Sequence, residues 1–143
     1  MPFVKVMIHA VWGTKDHHPF LTKDIKPQVI SHICEYAREK QIFIDCLDGS
    51  TEHLHCLFGL NADMTLAKAL QLFKGESSFW INKHQITKSK FEWADEYYGV
   101  FVSESHIVSV RNYILTQKEH HKKMTFLEEY ERFIKKYNNK NQG

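Results

Sequence analysis

The sequence predicts an α+β domain: a ferredoxin-like antiparallel sheet with helices mainly on one face. Three observations carry this reading. Short apolar runs rich in β-branched and aromatic residues alternate with segments of helical periodicity, in the order strand, helix, strand, strand, helix, strand, helix. Asp48-Gly49-Ser50-Thr51, set between two such runs, has the chemistry of a tight antiparallel turn. The 143 residues, 43% of them hydrophobic, fill one well-formed core and are too few for two ordinary domains.

The first strand is expected from Phe3 to Trp12, ending at Gly13, and its apolar character makes it central. After a polar loop from Thr14 to Pro19, Ile25, Val29, Ile30, Ile33, Cys34 and Ala37 recur at steps of three and four, an amphipathic helix closing near Lys40. The runs Ile42 to Leu47 and Leu54 to Leu60 form the hairpin, with His53 and His55 at the start of its second strand. Leu66, Ala69, Leu70, Phe73, Phe79, Trp80 and Ile81 mark a second helix, in which Gly75 either lowers propensity or permits a close approach. Tyr97 to Val102 reads as the last strand. Ser103 or Ser105 then caps a helix whose apolar stripe is Ile107, Val108, Val110, Ile114 and Leu115, and which carries Tyr113 and Gln117. A final helix is expected from Phe126 to Tyr137. The single domain thus spans 1–137, followed by a disordered polar tail at 138–143.

Every apolar segment is shorter than the roughly 18 residues a spanning helix needs, and the first residues lack the pattern of a secretory leader. A soluble, cytoplasmic protein with no membrane partner is expected. Cys34, Cys46 and Cys56 make neither an even set nor a CxxC pair, so each is read as a reduced thiol in an apolar stretch. Net charge is only +2, so any nucleic-acid partner must be recognised by local charge. Lysines do cluster, notably Lys118, Lys122 and Lys123 soon after Tyr113, although a solvated helix face explains such a run equally well. Of the aromatic residues Trp12, Phe20, Trp80, Phe91, Trp93, Tyr97 and Tyr98, most should be core and a minority should stack on bases.

Side chains alternate with period two along a strand, so His53-Leu54-His55 puts two imidazoles on one side, where both nitrogens can converge on one cation. Cys56 points the other way and cannot easily complete a zinc site. With ten histidines in the chain an HxH pair arises by chance about 0.7 times, so the spacing alone is weak. Tyr113 and Gln117 stack on one helix face about 6 Å apart along the axis. A nucleophile and a neutral oxygen ligand would then serve one site, but this pair too carries little by itself.

The combination carries more. Ala10-Val11-Trp12-Gly13-Thr14-Lys15, Glu52-His53-Leu54-His55-Cys56-Leu57, Lys74-Gly75-Glu76-Ser77 and Tyr113-Ile114-Leu115-Thr116-Gln117 together resemble the HUH single-tyrosine transposases of the 200/605 group of insertion sequences, among them the REP-associated tyrosine transposases. The resemblance runs from about Phe3 to His121, in the family's order and at similar spacings. It implies the HUH endonuclease fold, and an enzyme that cuts and rejoins single-stranded DNA at hairpins near an element's ends. His53, His55 and Gln117 are then implied as ligands of Mg2+ or Mn2+, and Tyr113 as the nucleophile forming a 5′-phosphotyrosine. Lys15, Lys74, Lys118 and Lys122 are the candidate phosphate contacts. A homodimer is implied in which the tyrosine helix of one subunit serves the histidines of the other. Glu52, where many relatives carry Asp, and Gly13, where another small residue or Cys is common, depart mildly from the pattern.

The chemistry is coherent. A tyrosine, with reference pKa near 10, is neutral at pH 7 and needs a cation on the phosphate to attack. Retaining the phosphodiester energy in a covalent intermediate permits rejoining without ATP, and the sequence has no nucleotide-binding motif. A non-catalytic or domesticated hairpin-binding protein on the same fold is the alternative. A hydrolase using only the histidine pair and a plain interaction module also stay open.

Overall fold

The computed structural model describes residues 5–116 together with residues 128, 131, 132 and 135. Four strands and three helices follow one another as β1 (Met7–Thr14), α1 (Lys26–Glu39), β2 (Ile44–Gly49), β3 (His53–Gly59), α2 (Leu66–Lys83), β4 (Trp93–Val102) and α3 (Ile107–Leu115). The strands form one sheet in the order β2-β3-β1-β4, and every neighbouring pair is antiparallel. This is the expected ferredoxin-like arrangement. No helix among the described residues is long and apolar enough to cross a membrane.

β1 is central and every residue of it is buried. Alternation divides its side chains between two layers. Ile8, Ala10 and Trp12, with Leu54, Cys56 and Phe58 of β3, face Val29, Ile33 and Ala37 of α1 and Leu70, Phe73 and Ile81 of α2. On the other face Met7 and Leu57, with Val102 of β4, pack against Val110 and Ile114 of α3. Among the described residues, α1 and α2 cover one face and α3 packs on the other, the face that carries the histidines.

α2 begins on a Thr65 hydroxyl that accepts the Lys68 amide at 3.1 Å and runs unbroken through Lys74-Gly75-Glu76. A Cβ on Gly75 would have nothing within 4 Å, so no close approach explains that glycine. Both long helices end in the same way. Gln41 and Gln85 take positive φ of 59° and 51°, and the next residues, Ile42 and Ile86, donate to Ala37 and Ile81 at 2.8 and 3.0 Å. That is the Schellman pattern, here with Gln where Gly is usual.

Three boundaries differ from expectation. β1 continues through Gly13 because Thr14 N donates to Glu52 O at 2.8 Å, extending the strand past its glycine. β4 starts at Trp93, four residues early. A register shift opposite Trp12 to Thr14 breaks its alternation, and the polar Asp95 and Glu96 conceal it in the sequence. The hairpin forms as expected, but its Gly49 does not adopt positive φ. A Cβ there would sit 2.0 Å from His53 O, so the glycine admits backbone, not a left-handed turn. The helix expected from Phe126 to Tyr137 and the tail at 138–143 fall largely outside the described residues, although Glu128, Glu131, Arg132 and Lys135 are helical.

Candidate functional site

β3 places His53 and His55 on the same face of the sheet, opposite Gly13 and Val11 of β1 in the register. Both rings are buried, and their centroids lie 5.1 Å apart. Each is held through Nδ1. Ser50 Oγ lies 2.9 Å from Nδ1 of His53 and also accepts the Glu52 amide at 3.2 Å. His9 Nε2 lies 2.9 Å from Nδ1 of His55. Gly13 leaves room for this arrangement, since a Cβ there would stand 3.2 Å from Glu52 O and 3.6 Å from His53 Cβ.

His9 was not among the residues the sequence singled out. It faces the α3 side from the middle of β1, fully buried, stacked on His55 with centroids 5.1 Å apart and planes 28° apart. Burial pushes its pKa down to about 3, so the ring is neutral at ordinary pH. A histidine inside an otherwise apolar strand was the signal available, because a buried polar side chain requires a partner.

Tyr113 reaches this cluster from α3. Its ring stands edge-on to His55 at 5.7 Å and to His9 at 6.4 Å between centroids. Two features dock the helix. Val110 and Ile114, one turn apart, are buried against Met7 and Leu57. Arg111 grips Asp45 of β2 with Nε and Nη2, each 2.7 Å from a carboxylate oxygen. The hydrogen bond from Arg111 holds the Asp45 carboxyl below its ordinary range, with the guanidinium charge adding to it against burial. Beside it, burial and then the Asp45 charge push the Cys46 thiol up to about 12, so it is a poor nucleophile. Ser103 caps differently from expectation: its hydroxyl meets Nδ1 of His106 at 2.6 Å, across a short 3-10 turn (Glu104–His106) that precedes α3.

The structure brings His53, His55 and Tyr113 together. Gln117, Lys118 and Lys122 lie outside the described residues. Among the described residues no group of three or more His, Cys, Asp and Glu side chains is placed to hold a metal ion. Lys15 and Lys74, far apart in the chain, meet in one cleft of about 750 Å³ that also takes in Gly13, Gly75, Trp93 and Tyr98. The cleft thus borders the β1 residue paired with His53. Its charge is mixed. Lys15 is 2.9 Å from Glu92, whose hydrogen bond raises the lysine pKa, while burial lowers that of Lys74, whose ammonium donates to Asp95 O at 3.1 Å. Of the aromatic candidates, Trp12, Phe91 and Trp93 are buried, Phe20, Trp80 and Tyr97 pack against the core, and Tyr98 lines the cleft.

The model of a family described as IS200-like transposases matches residues 3–117. Among solved structures, the fold is similar to that of a protein assigned as a transposase, from Deinococcus radiodurans R1, with a TM-score of 0.63 and 21% identity over 81% of this chain and 93% of the other. It is also similar to a REP-associated tyrosine transposase solved bound to a REP hairpin, with a TM-score of 0.58 and 14% identity over 85% of this chain and 72% of the other. Comparison with curated protein sequences finds no match. The family match spans all four strands, the paired histidines and the tyrosine helix, and the chain belongs to the IS200-like transposase family.

Proposed function

We propose that this transposase cleaves and rejoins single-stranded DNA at hairpin-bearing element ends, with Tyr113 as nucleophile. The observation that carries the reading is the edge-on placement of Tyr113 against His55 by a helix anchored at both Ile114 and Arg111. A tyrosine serving only as core filler does not require buried imidazoles beside it, and here three rings converge.

The residues fit a divalent cation. His53 and His55 are neighbours on one strand face, and each is held through Nδ1, which supports coordination through Nε2. Gln117, four residues after Tyr113 in the sequence, is the proposed third ligand. Bound there, Mg2+ or Mn2+ would offset charge on a non-bridging oxygen of the scissile phosphate. Tyr113 Oη forms a bond to phosphorus as the bond from phosphorus to the 3′ oxygen breaks. The phenolic proton is lost and the departing oxygen ends as a 3′-hydroxyl, leaving a 5′-phosphotyrosine. Attack by a 3′-hydroxyl on that linkage reverses the step and joins strands. Burial of His53 and His55 limits competing water at the reacting face.

Lys15 and Lys74 are the proposed phosphate contacts of the cleft, and Lys118 and Lys122, which follow Tyr113 in the sequence, are further proposed contacts. That a fold neighbour is bound to a REP hairpin supports a hairpin as the DNA partner, and such a substrate fits a cytoplasmic protein. Within the one chain described, Tyr113 stands beside its own histidines. A homodimer that exchanges α3 would build the same juxtaposition between subunits, and it alone restores activity when His55→Ala and Tyr113→Phe proteins are mixed.

The test is incubation of the protein with labelled hairpin oligonucleotides from the DNA flanking its gene, in Mg2+ or Mn2+, followed by a denaturing gel. A covalent adduct is expected, lost with chelator, with Tyr113→Phe and with His55→Ala. Binding with no adduct in either metal contradicts the reading and favours a hairpin-binding protein. Metal-dependent cutting that survives Tyr113→Phe favours a hydrolase.

A further inference from the structure

We infer that His9 is a positioning residue: its Nε2 accepts the Nδ1–H of His55 and so fixes His55 in the tautomer whose Nε2 can bind a cation. This rests on the function proposed above.

A neutral imidazole has one nitrogen that donates and one that accepts. For His55 to coordinate through Nε2, its proton must be on Nδ1, and an Nδ1–H in the interior needs an acceptor. The nitrogen 2.9 Å away is His9 Nε2. His55 therefore donates, His9 accepts, and the His9 proton resides on its own Nδ1. The reverse arrangement, with His9 donating, puts a proton on His55 Nε2 and removes its lone pair.

The fold holds the two rings against each other. His9 stands opposite Leu57 and His55 opposite Val11, so the two histidines are diagonal neighbours on adjacent central strands. Both are fully buried, and their rings stack. His53 has a parallel arrangement with Ser50 Oγ at 2.9 Å, but a hydroxyl can rotate and either donate or accept. With its own proton on Nδ1, His9 offers His55 an acceptor at Nε2. Its imidazole does for His55 what a carboxylate or carbonyl does behind most metal-bound histidines.

The experiment is a long-range 1H–15N correlation of the histidine rings in the full-length, metal-free protein, followed by titration with Mn2+. His55 is expected in the Nδ1–H form, with an unprotonated Nε2. His9→Leu should weaken Mn2+ binding by about 10- to 100-fold, the usual effect of losing such a partner. His9→Gln, whose amide oxygen offers an acceptor near the same place, should recover most of that affinity. Finding His55 as the Nε2–H form in the parent protein overturns the inference and needs no variant to fold. Equal Mn2+ affinity in parent and His9→Leu also overturns it. Failure of the transposase reading is distinguished because it appears in the parent protein, as absence of the covalent adduct, whatever the tautomer.

Discussion

Tyr113 sits half-buried at the edge of a small cluster of apolar residues, and only its hydroxyl is asked to do chemistry. Replacing it by Phe keeps the ring and its edge-on contacts with His9 and His55. Tyr113→Phe should therefore leave stability within about 1.5 kcal/mol of the parent, the range of one hydrogen bond, while abolishing the adduct. Denaturant unfolding beside the gel assay checks this, and a large loss of stability would assign the tyrosine a mainly structural role. At this scale the sequence was informative where periodicity sufficed. Period two on a strand put His53 and His55 on one face, and the apolar stripe of Ile107, Val110 and Ile114 placed Tyr113 on a helix. It was silent where a contact joins residues far apart in the chain. Nothing near His9 announces that its partner is 46 positions away, nor does Arg111 point to Asp45.

At the scale of elements, α3 is short, and its position depends on two buried side chains and one ion pair. Asp45→Asn removes the charge that grips Arg111. Faster hydrogen exchange of α3 amides is expected, with β1 and β3 unchanged, together with slower adduct formation. Acid should mimic the substitution. The folded-state pKa of Asp45 is depressed, so its contribution to stability is fully present above the unfolded value, near 3.9, and is lost as pH falls through the lower folded value. Loosening of α3 by this route is therefore expected only below about pH 4, and loosening at pH 6 would implicate another group. A second element-scale expectation concerns the helix ends. Gln41 carries a positive φ that costs a non-glycine residue about 1–2 kcal/mol, against roughly 0.5–1 kcal/mol of extra chain entropy for glycine. Gln41→Gly should raise stability by up to about 1 kcal/mol, and destabilisation would show that the Gln side chain has a contact worth more. Helix existence was legible from apolar spacing, whereas these ends were not, because the residue that usually marks them is absent. The hairpin shows the converse: Asp48-Gly49 correctly signalled its place, yet Gly49 is there for a close backbone approach.

For the whole molecule, the two sheet faces divide the work. Among the described residues, one holds the larger core under α1 and α2, and the other holds the histidines, Tyr113 and α3. The element order revealed the antiparallel sheet with helices packed on one face, but not that α3 lies on the other. The cleft was not legible, since it joins the end of β1, the middle of α2 and the unexpected start of β4. If DNA phosphates enter there, Lys74→Ala should weaken hairpin binding uniformly across sequences and lower the salt dependence by about one charge. An unchanged slope would place the DNA elsewhere. The central claim is that Tyr113 becomes covalently joined to DNA, and peptide mapping of the purified adduct by mass spectrometry tests it most directly. The account expects one modified peptide, carrying a 5′-linked nucleotide on Tyr113, and an unattached 3′-hydroxyl on the released strand. A nucleotide on any other residue, or cleavage with no modified peptide, would contradict it.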